Sequence, residues 1–386
     1  MMNTLQKLSR LSSWLLLCLI LFLAFWIRIQ GVASIPDGQF TGNDPYLFYW
    51  QAQIVAEHGK LPVRDMHRWL PYGRDLGQSL NAYSYAIAYT HKVITLFFPN
   101  ISVYQVALFS PAVCFMLGLG VLCLFFYRTF GLLFSSIVGL LLATLPGVVE
   151  RSAAGFSDRD SWCLMLGIFA ITGYLAALQA QNPRSRLLWT LASGFTVFLG
   201  GISWEGFCIF FSIILCIEFW RFLTDEKEER LRLYFLWVCT FVPPLYLASP
   251  VYRNGEGFAT HLFAFVLVPP LILLGIRVLR HVLITKSTFA AKFQPHARNL
   301  SFGLTLASLI LAFGYVWSQF HTFASTPVPL GQNQLMQTVG ELNVPDYRYW
   351  VFRYGSLFFL ASLGFMSISI RLWKNSGTVL GSVYIV

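Results

Sequence analysis

LLFSSIVGLLLATLPGVV (132–149) runs directly into ERSAAGFSDRDSW (150–162), and the junction decides the fold. Eighteen residues of the first stretch hold no charge. A hydrocarbon core about 30 Å thick is crossed by roughly 20 apolar residues in helical form. The second stretch then sets Asp158, Arg159 and Asp160 side by side. Charges next to a membrane-grade helix are costly unless they sit at its watery end and something pairs with them. A span that ends at an acidic turn satisfies both conditions.

Working outward, about ten stretches of this kind occur along the 386 residues, at 12–30, 102–126, 132–149, 161–179, 187–202, 206–223, 233–249, 258–276, 299–318 and 351–370. With 56% hydrophobic, 17% aromatic and only 11% charged residues, the composition is that of a polytopic all-α membrane protein. Leu15–Trp26 also has the apolar character of a secretory signal. The length of the run, and the lack of a small-x-small cleavage site after it, favour a retained span.

The net charge of +10 does not indicate a nucleic-acid partner, because its distribution follows topology. With Lys7 and Arg10 inside, Arg128, Arg184, Arg186, the segment 221–232, the segment 277–298, Arg371 and Lys374 are also inside, which is the positive-inside pattern. The mixed run TDEKEERLR (224–232) reads as a solvated turn between spans. The seven cysteines (18, 114, 123, 163, 208, 216, 239) all fall in apolar spans and form no CxxC pair, so they read as core thiols.

Two outside loops are long, 31–101 and 319–350. The first is rich in Tyr and Trp and suits amphipathic helices lying at the membrane surface. In its DPYLFYWQAQIVAEHG (44–59), Pro45 fits a first helical turn, with Asp44 ahead of it as a helix cap. The second, STPVPLGQNQLMQTVGELNVPD (325–346), has the Pro, Gly and polar content of a loop around one ordered piece.

Once topology is set, Asp44, Asp158, Asp160 and Glu341 come from three loops on one membrane face. Carboxylate oxygens are the ligands preferred by hard divalent cations, Mg²⁺ or Mn²⁺. The bland alternative is that Asp158 and Asp160 cap the next helix and pair with Arg151 or Arg159. Trp162 and Cys163 exclude an EF-hand loop. HExxH, G-x-S-x-G and P-loop motifs are absent from the sequence.

These residues resemble the membrane half of the catalytic subunits of oligosaccharyltransferases, in particular the single-subunit bacterial and archaeal type. NDPY (43–46) is similar to the family's first-loop motif, and RSAAGFSDRD (151–160) to its second-loop motif with Arg151, Asp158 and Asp160. TVGE (338–341) is similar to the Thr-[Ile/Val]-x-Glu motif of the last loop. GGISWEGF (200–207) is similar to the Trp-Gly motif between spans five and six, with Glu205 where a small residue is common.

The resemblance implies a C-type glycosyltransferase-like membrane domain in the plasma membrane, with its active face outside. It implies metal-dependent, inverting transfer of a glycan from a polyprenyl-pyrophosphate carrier to the side-chain nitrogen of Asn in Asn-x-Ser/Thr acceptors. Asp44 and Glu341 would act on the Asn amide. Asp44, Asp158, Asp160 and Glu341 would hold Mn²⁺ or Mg²⁺. Arg151, Tyr46, Trp204, Thr338, Val339 and Arg353 would contact substrate.

Family members continue into a soluble domain whose Trp-Trp-Asp motif holds the acceptor Ser or Thr. This sequence contains no such motif. The expectation is therefore a single transmembrane domain over 1–386 without the acceptor-binding domain, and three readings follow: a truncated product or fragment, a split enzyme whose soluble domain lies on a second chain, or a remnant that binds without catalysing. Two rivals remain: a transferase that uses a polyprenyl-phosphate sugar on a lipid or protein hydroxyl, and an inactive membrane protein that binds the lipid carrier. Glu341 speaks against the first.

Overall fold

The computed structural model describes residues 2–225, 230–255, 261–285, 294–325 and 346–374. The chain falls into two compact units, the described residues of Met1–Ile217 with Arg232–Leu271, and those of Glu218–Leu231 with Ile272–Ile385.

Each of the ten apolar stretches is mostly helical where described, the third and the last with a break. Among the described residues, seven helices have the length and apolarity to cross a membrane, and a bent pair makes an eighth. The two remaining stretches fall short for different reasons. Pro183–Gly201 is long enough, but Asn182, Arg184, Ser185 and Arg186 leave its first turn polar. The last stretch breaks at Gly355, whose φ of +54° lies in the left-handed region. It is divided there into Tyr347–Tyr354 and a second helix, Ser356–Lys374.

In the first unit, α1 (Met2–Ile29) packs with α4 (Val103–Phe130) and α5 (Leu132–Thr144). Leu17, Ile20, Ala24, Phe115, Leu119, Cys123 and Ala143 form their shared core. Gly139 lets α5 approach closely, since a Cβ there would lie 2.9 Å from Cys123 Sγ and 3.2 Å from Ile20. The third apolar stretch is not one straight helix. After α5 the chain turns by 64° into α6 (Pro146–Ser152). Pro146 has no N–H to continue the ladder, so a break at this point has a definite cause. α7 (Arg159–Gln179) then returns along α4, and α8 (Pro183–Gly201) packs on α7.

The first long loop is ordered by α2 (Asp44–His58), a short hairpin pairing Arg64 with Asp75 and Asp65 with Arg74, and α3 (Ala82–Thr95). Phe48, Ala52 and Val55 of α2 are buried against Tyr83, Ile87 and Ala88 of α3 and Ala107 of α4. α2 therefore holds its buried apolar residues against protein. The cap differs from expectation, because Asn43 is the N-cap of α2 and Asp44 lies inside the first turn.

In the second unit a buried ion pair joins Glu218 on α9 (Cys208–Thr224) to Arg277 on α12 (Val268–Thr285). For these helices to be numbered in chain order, α10 is Leu231–Ala248 and α11 is Val251–Asn254. Both partners of the pair are at most 3% exposed, and Arg221 also reaches Glu218 at 3.2 Å. The seven cysteines are all free. Cys114, Cys123 and Cys163 are core thiols as expected, whereas Cys18 and Cys216 are exposed on their helices.

Candidate functional site

Three segments of the first unit meet at the acidic end of the spans, and main-chain bonds hold them. Gly155 is the hub. Its N–H donates to the Leu108 carbonyl at 2.9 Å, and its carbonyl accepts the Thr41 N–H at 3.0 Å. The second bond ties the FTGN segment (40–43) before α2 to the turn before α7. Gly155 has φ +95°, and a Cβ there would lie 2.4 Å from Ile35 Cδ1. Glycine is thus needed both for the backbone angle and for the close approach. The consequence is that Asp44, at the start of α2, and Asp158, at the N-cap of α7, face the same region.

Asp158 is only 7% exposed. Its Oδ1 accepts the Arg159 N–H at 2.6 Å. Burial, then the charge of Asp160, push its carboxyl up to about 6; Asp44 adds to the rise, and the Arg159 N–H and guanidinium oppose it. Asp44 itself is exposed and so is open to a ligand. Asp160 instead pairs with Arg151, Nη1 to Oδ2 at 3.4 Å, with both side chains more than a third exposed.

The second wall of the site is the turn containing Trp204 and Glu205. Trp162 Nε1 donates to Ser203 Oγ at 2.9 Å, and Arg159 pairs with Glu205 at 3.2 Å. The Ala82 N–H also reaches the Ile202 carbonyl at 3.3 Å. The departure at Glu205 thus has a local reason, since its carboxylate balances the arginine set between the two aspartates. Trp204 stands edge-on to Phe210 at 6.4 Å. Tyr46 shapes the loop before α2, because its hydroxyl accepts the Phe40 N–H at 3.1 Å and its ring meets Phe40 edge-on. Behind the turn lies an apolar cavity of about 460 Å³ between α3, α4 and α7. Tyr83 and Trp162 line it, and the Tyr83 hydroxyl bonds Ser110 at 2.6 Å and Ser157 at 3.2 Å.

Of the expected site residues, Asp44, Tyr46, Arg151, Asp158, Asp160 and Trp204 are therefore gathered in one unit. Thr338, Val339 and Glu341 lie outside the described residues. Arg353 belongs to the second unit, where its guanidinium lies over the Tyr349 ring at 5.0 Å. Among the described residues, no three His, Cys, Asp or Glu side chains form a ready cation cage. The bland reading of the Asp-x-Asp turn is met in part: Asp158 caps α7 and Asp160 pairs with Arg151. It does not account for the raised carboxyl of Asp158, because a cap and a salt bridge would hold a carboxyl low. Asp44 and Asp158, facing the same region, carry oxygen donors of the kind a hard divalent cation takes.

Arg28, in the last turn of α1, also bears on this site, and its sequence signal is a charged residue in an otherwise apolar span.

Fold and site together define a multi-pass helical membrane protein with a carboxylate cluster at one end of its spans. The chain belongs to the family described as oligosaccharyl transferase STT3, N-terminal, whose profile matches residues 37–384. It is similar to subunit STT3B of the Arabidopsis thaliana dolichyl-diphosphooligosaccharide–protein glycosyltransferase, at 26% identity over 245 residues, which are 61% of this chain and 32% of that one. Its fold is similar to that of the oligosaccharyltransferase AglB of Archaeoglobus fulgidus in complex with an inhibitory peptide and a dolichol-phosphate. That likeness has a TM-score of 0.70 at 20% identity, covering 95% of this chain and 45% of the other. A second structure of the A. fulgidus enzyme, with Zn and sulfate, gives a TM-score of 0.68 at 20% identity, over 94% of this chain and 43% of that one. The chain thus spans about a third of the length of the plant relative and under half that of the archaeal enzyme.

Proposed function

We propose that this chain is the membrane domain of an oligosaccharyltransferase that transfers a glycan from a polyprenyl-pyrophosphate carrier to the side-chain nitrogen of Asn in Asn-x-Ser/Thr acceptors. The observation that carries this reading is the approach of Asp44 to the Asp158–Arg159–Asp160 turn, in a chain that the family profile matches almost throughout. The acidic end faces the outside of the plasma membrane, in accord with the basic loops at the other end.

The chemical problem is the acceptor. An amide nitrogen is a weak nucleophile, because conjugation with the carbonyl resists rotation by about 18 to 20 kcal/mol. A carboxylate that accepts an N–H of the Asn side chain favours a rotated, less conjugated amide and makes its lone pair available. Asp44 would be the first such carboxylate, a reading supported by its exposure and by the bond from Thr41 to Gly155 that brings its loop to the Asp158 turn. Glu341 is the second acceptor in this proposal. The sugar carbon inverts as the nitrogen attacks from the face opposite the departing pyrophosphate.

Asp44, Asp158 and Glu341, with Asp160 beside them, would hold Mn²⁺ or Mg²⁺. The ion would supply positive charge for the pyrophosphate as it leaves. Arg151 and Arg159 stand at the same rim, each already turned toward a carboxylate, and either can exchange that partner for a phosphate oxygen. Thr338 and Val339 would line the acceptor peptide, and Tyr46, Trp204 and Arg353 would contact substrate.

The test is transfer in nanodiscs, with a polyprenyl-pyrophosphate-linked oligosaccharide and a fluorescent Asn-x-Thr peptide, in Mn²⁺ and in EDTA. The expected result is a glycopeptide in Mn²⁺, lost in EDTA and in Asp44→Asn. Donor binding without transfer at any metal concentration would favour the carrier-binding reading instead.

A further inference from the structure

Arg28 lies in the first span, and its side chain is 1% exposed. An arginine in such a segment is costly and is kept where it performs a task. Each part of its guanidinium is engaged. Nε donates to Ser152 Oγ at 2.7 Å, and Nη1 donates to the carbonyls of Ala24 at 2.8 Å and Ala143 at 3.0 Å. Nη2 reaches the Leu142 carbonyl at 3.4 Å, and the whole plane lies over the Phe115 ring at 3.5 Å.

Two of these acceptors are special. In a continuous helix the carbonyls of Leu142 and Ala143 would pair with the N–H groups of residues 146 and 147. Residue 146 is proline, and the chain bends by 64° there. A main-chain carbonyl left without a donor away from water is costly. The guanidinium fork supplies both carbonyls with donors from a different helix.

The main chain of the same residue acts on the other side of the break. The Arg28 carbonyl accepts the Ala154 N–H at 2.9 Å, and the next residue, Gly155, is the one that binds both Leu108 and Thr41. One residue therefore holds the end of α5, the end of α6 and the start of the aspartate turn.

We propose that Arg28 is a positioning residue: its side chain clamps the broken third span and its carbonyl anchors Ala154, so that the Asp158 turn is presented to the Asp44 loop. The consequence for transfer rests on the function proposed above. The consequence for geometry does not.

The experiment is hydrogen–deuterium exchange on the full chain in nanodiscs, without metal or donor, for wild type, Arg28→Met and Arg28→Lys. Loss of the clamp is expected to speed exchange at least tenfold in peptides covering 38–45 and 150–158, while peptides of α8 change less than twofold. Arg28→Lys keeps the charge but not the planar fork, and is expected to raise exchange at least threefold in the same two peptides. It also keeps the question decidable if Arg28→Met fails to fold. A uniform rise across all helices, or no rise in the two loop peptides, overturns the proposal. Peptide transfer is then measured, where Arg28→Lys is expected to lower kcat at least tenfold with the acceptor KM within twofold. A change in KM alone would overturn the positioning role. Absence of transfer by wild type would refute the transferase reading, and the exchange result would still decide the role of Arg28.

Discussion

Replacing Asp158 by Asn should make the metal-free protein more stable while removing the activity proposed for it. The Asp158 carboxyl is buried beside Asp160 and Asp44 and moves from 3.8 to about 6. A shift of that size costs the folded state about 3 kcal/mol at pH 7, at about 1.4 kcal/mol per pH unit. The sign follows from the direction. A group whose folded value is raised is most favourable to the fold below its unfolded value, and that benefit is lost as pH rises through the folded value. The stability gap between Asp158→Asn and wild type should therefore open between pH about 4 and about 6 and stay constant above. Asn still offers Oδ1 to the Arg159 N–H, so the cap of α7 survives. Thermal unfolding in EDTA at several pH values between 4 and 8, followed by fluorescence-detected size exclusion, measures the gap, which should amount to several °C at pH 7. Adding Mn²⁺ at about 100 times its dissociation constant should return about 2.7 kcal/mol to wild type alone and nearly close the gap. A variant no more stable than wild type in EDTA, or a gap that shrinks as pH rises, would refute the reasoning.

Other outcomes follow from the same geometry. Gly155→Ala should lower stability by about 2 kcal/mol, from the left-handed backbone angle and the contact with Ile35, and transfer should fall with it; thermal unfolding and the peptide assay check both. Arg151→Gln should change stability by less than about 1 kcal/mol, because its pair with Asp160 is partly exposed, so a large fall in melting temperature would contradict the assignment. Arg277→Met should destabilise by about 3 to 5 kcal/mol by leaving Glu218 buried without it. The double change Glu218→Met/Arg277→Met should recover most of that loss, as read by a double-mutant cycle in thermal unfolding.

Much of the site was legible in the sequence, because its parts obey simple rules. A long apolar run ending in Asp-Arg-Asp has only one place to put those charges, and the same holds for Asp44 at the start of the first loop. What was not legible depended on contacts distant in sequence. The stretch 132–149 reads as one span, yet Pro146 divides it; the proline was visible, but its effect depends on whether another group can take the freed carbonyls, and that group is Arg28, more than a hundred residues earlier. The burial of Asp158 was equally hidden, since it arises from the docking of the Thr41 loop and the Trp162–Ser203 bond. The packing of α2 was hidden in the same way, because sequence marks an apolar side without naming what meets it, and residues of α3 with Ala107 of α4 do so. The partner of Glu205 was open to the eye at Arg159 but lies in another loop, and only the fold brings the two together.

The segments around Gly155 are joined to their neighbours largely through main-chain atoms: Thr41 to Gly155, Gly155 to Leu108, Ala154 to Arg28, Ala82 to Ile202. Main-chain donors and acceptors are the same for nearly every residue type. A scaffold fastened in this way can exchange most of its side chains during evolution without moving its carboxylates, provided that a few glycines and the proline break persist. That freedom explains how a fold can match an archaeal enzyme over 95% of this chain while four residues in five differ.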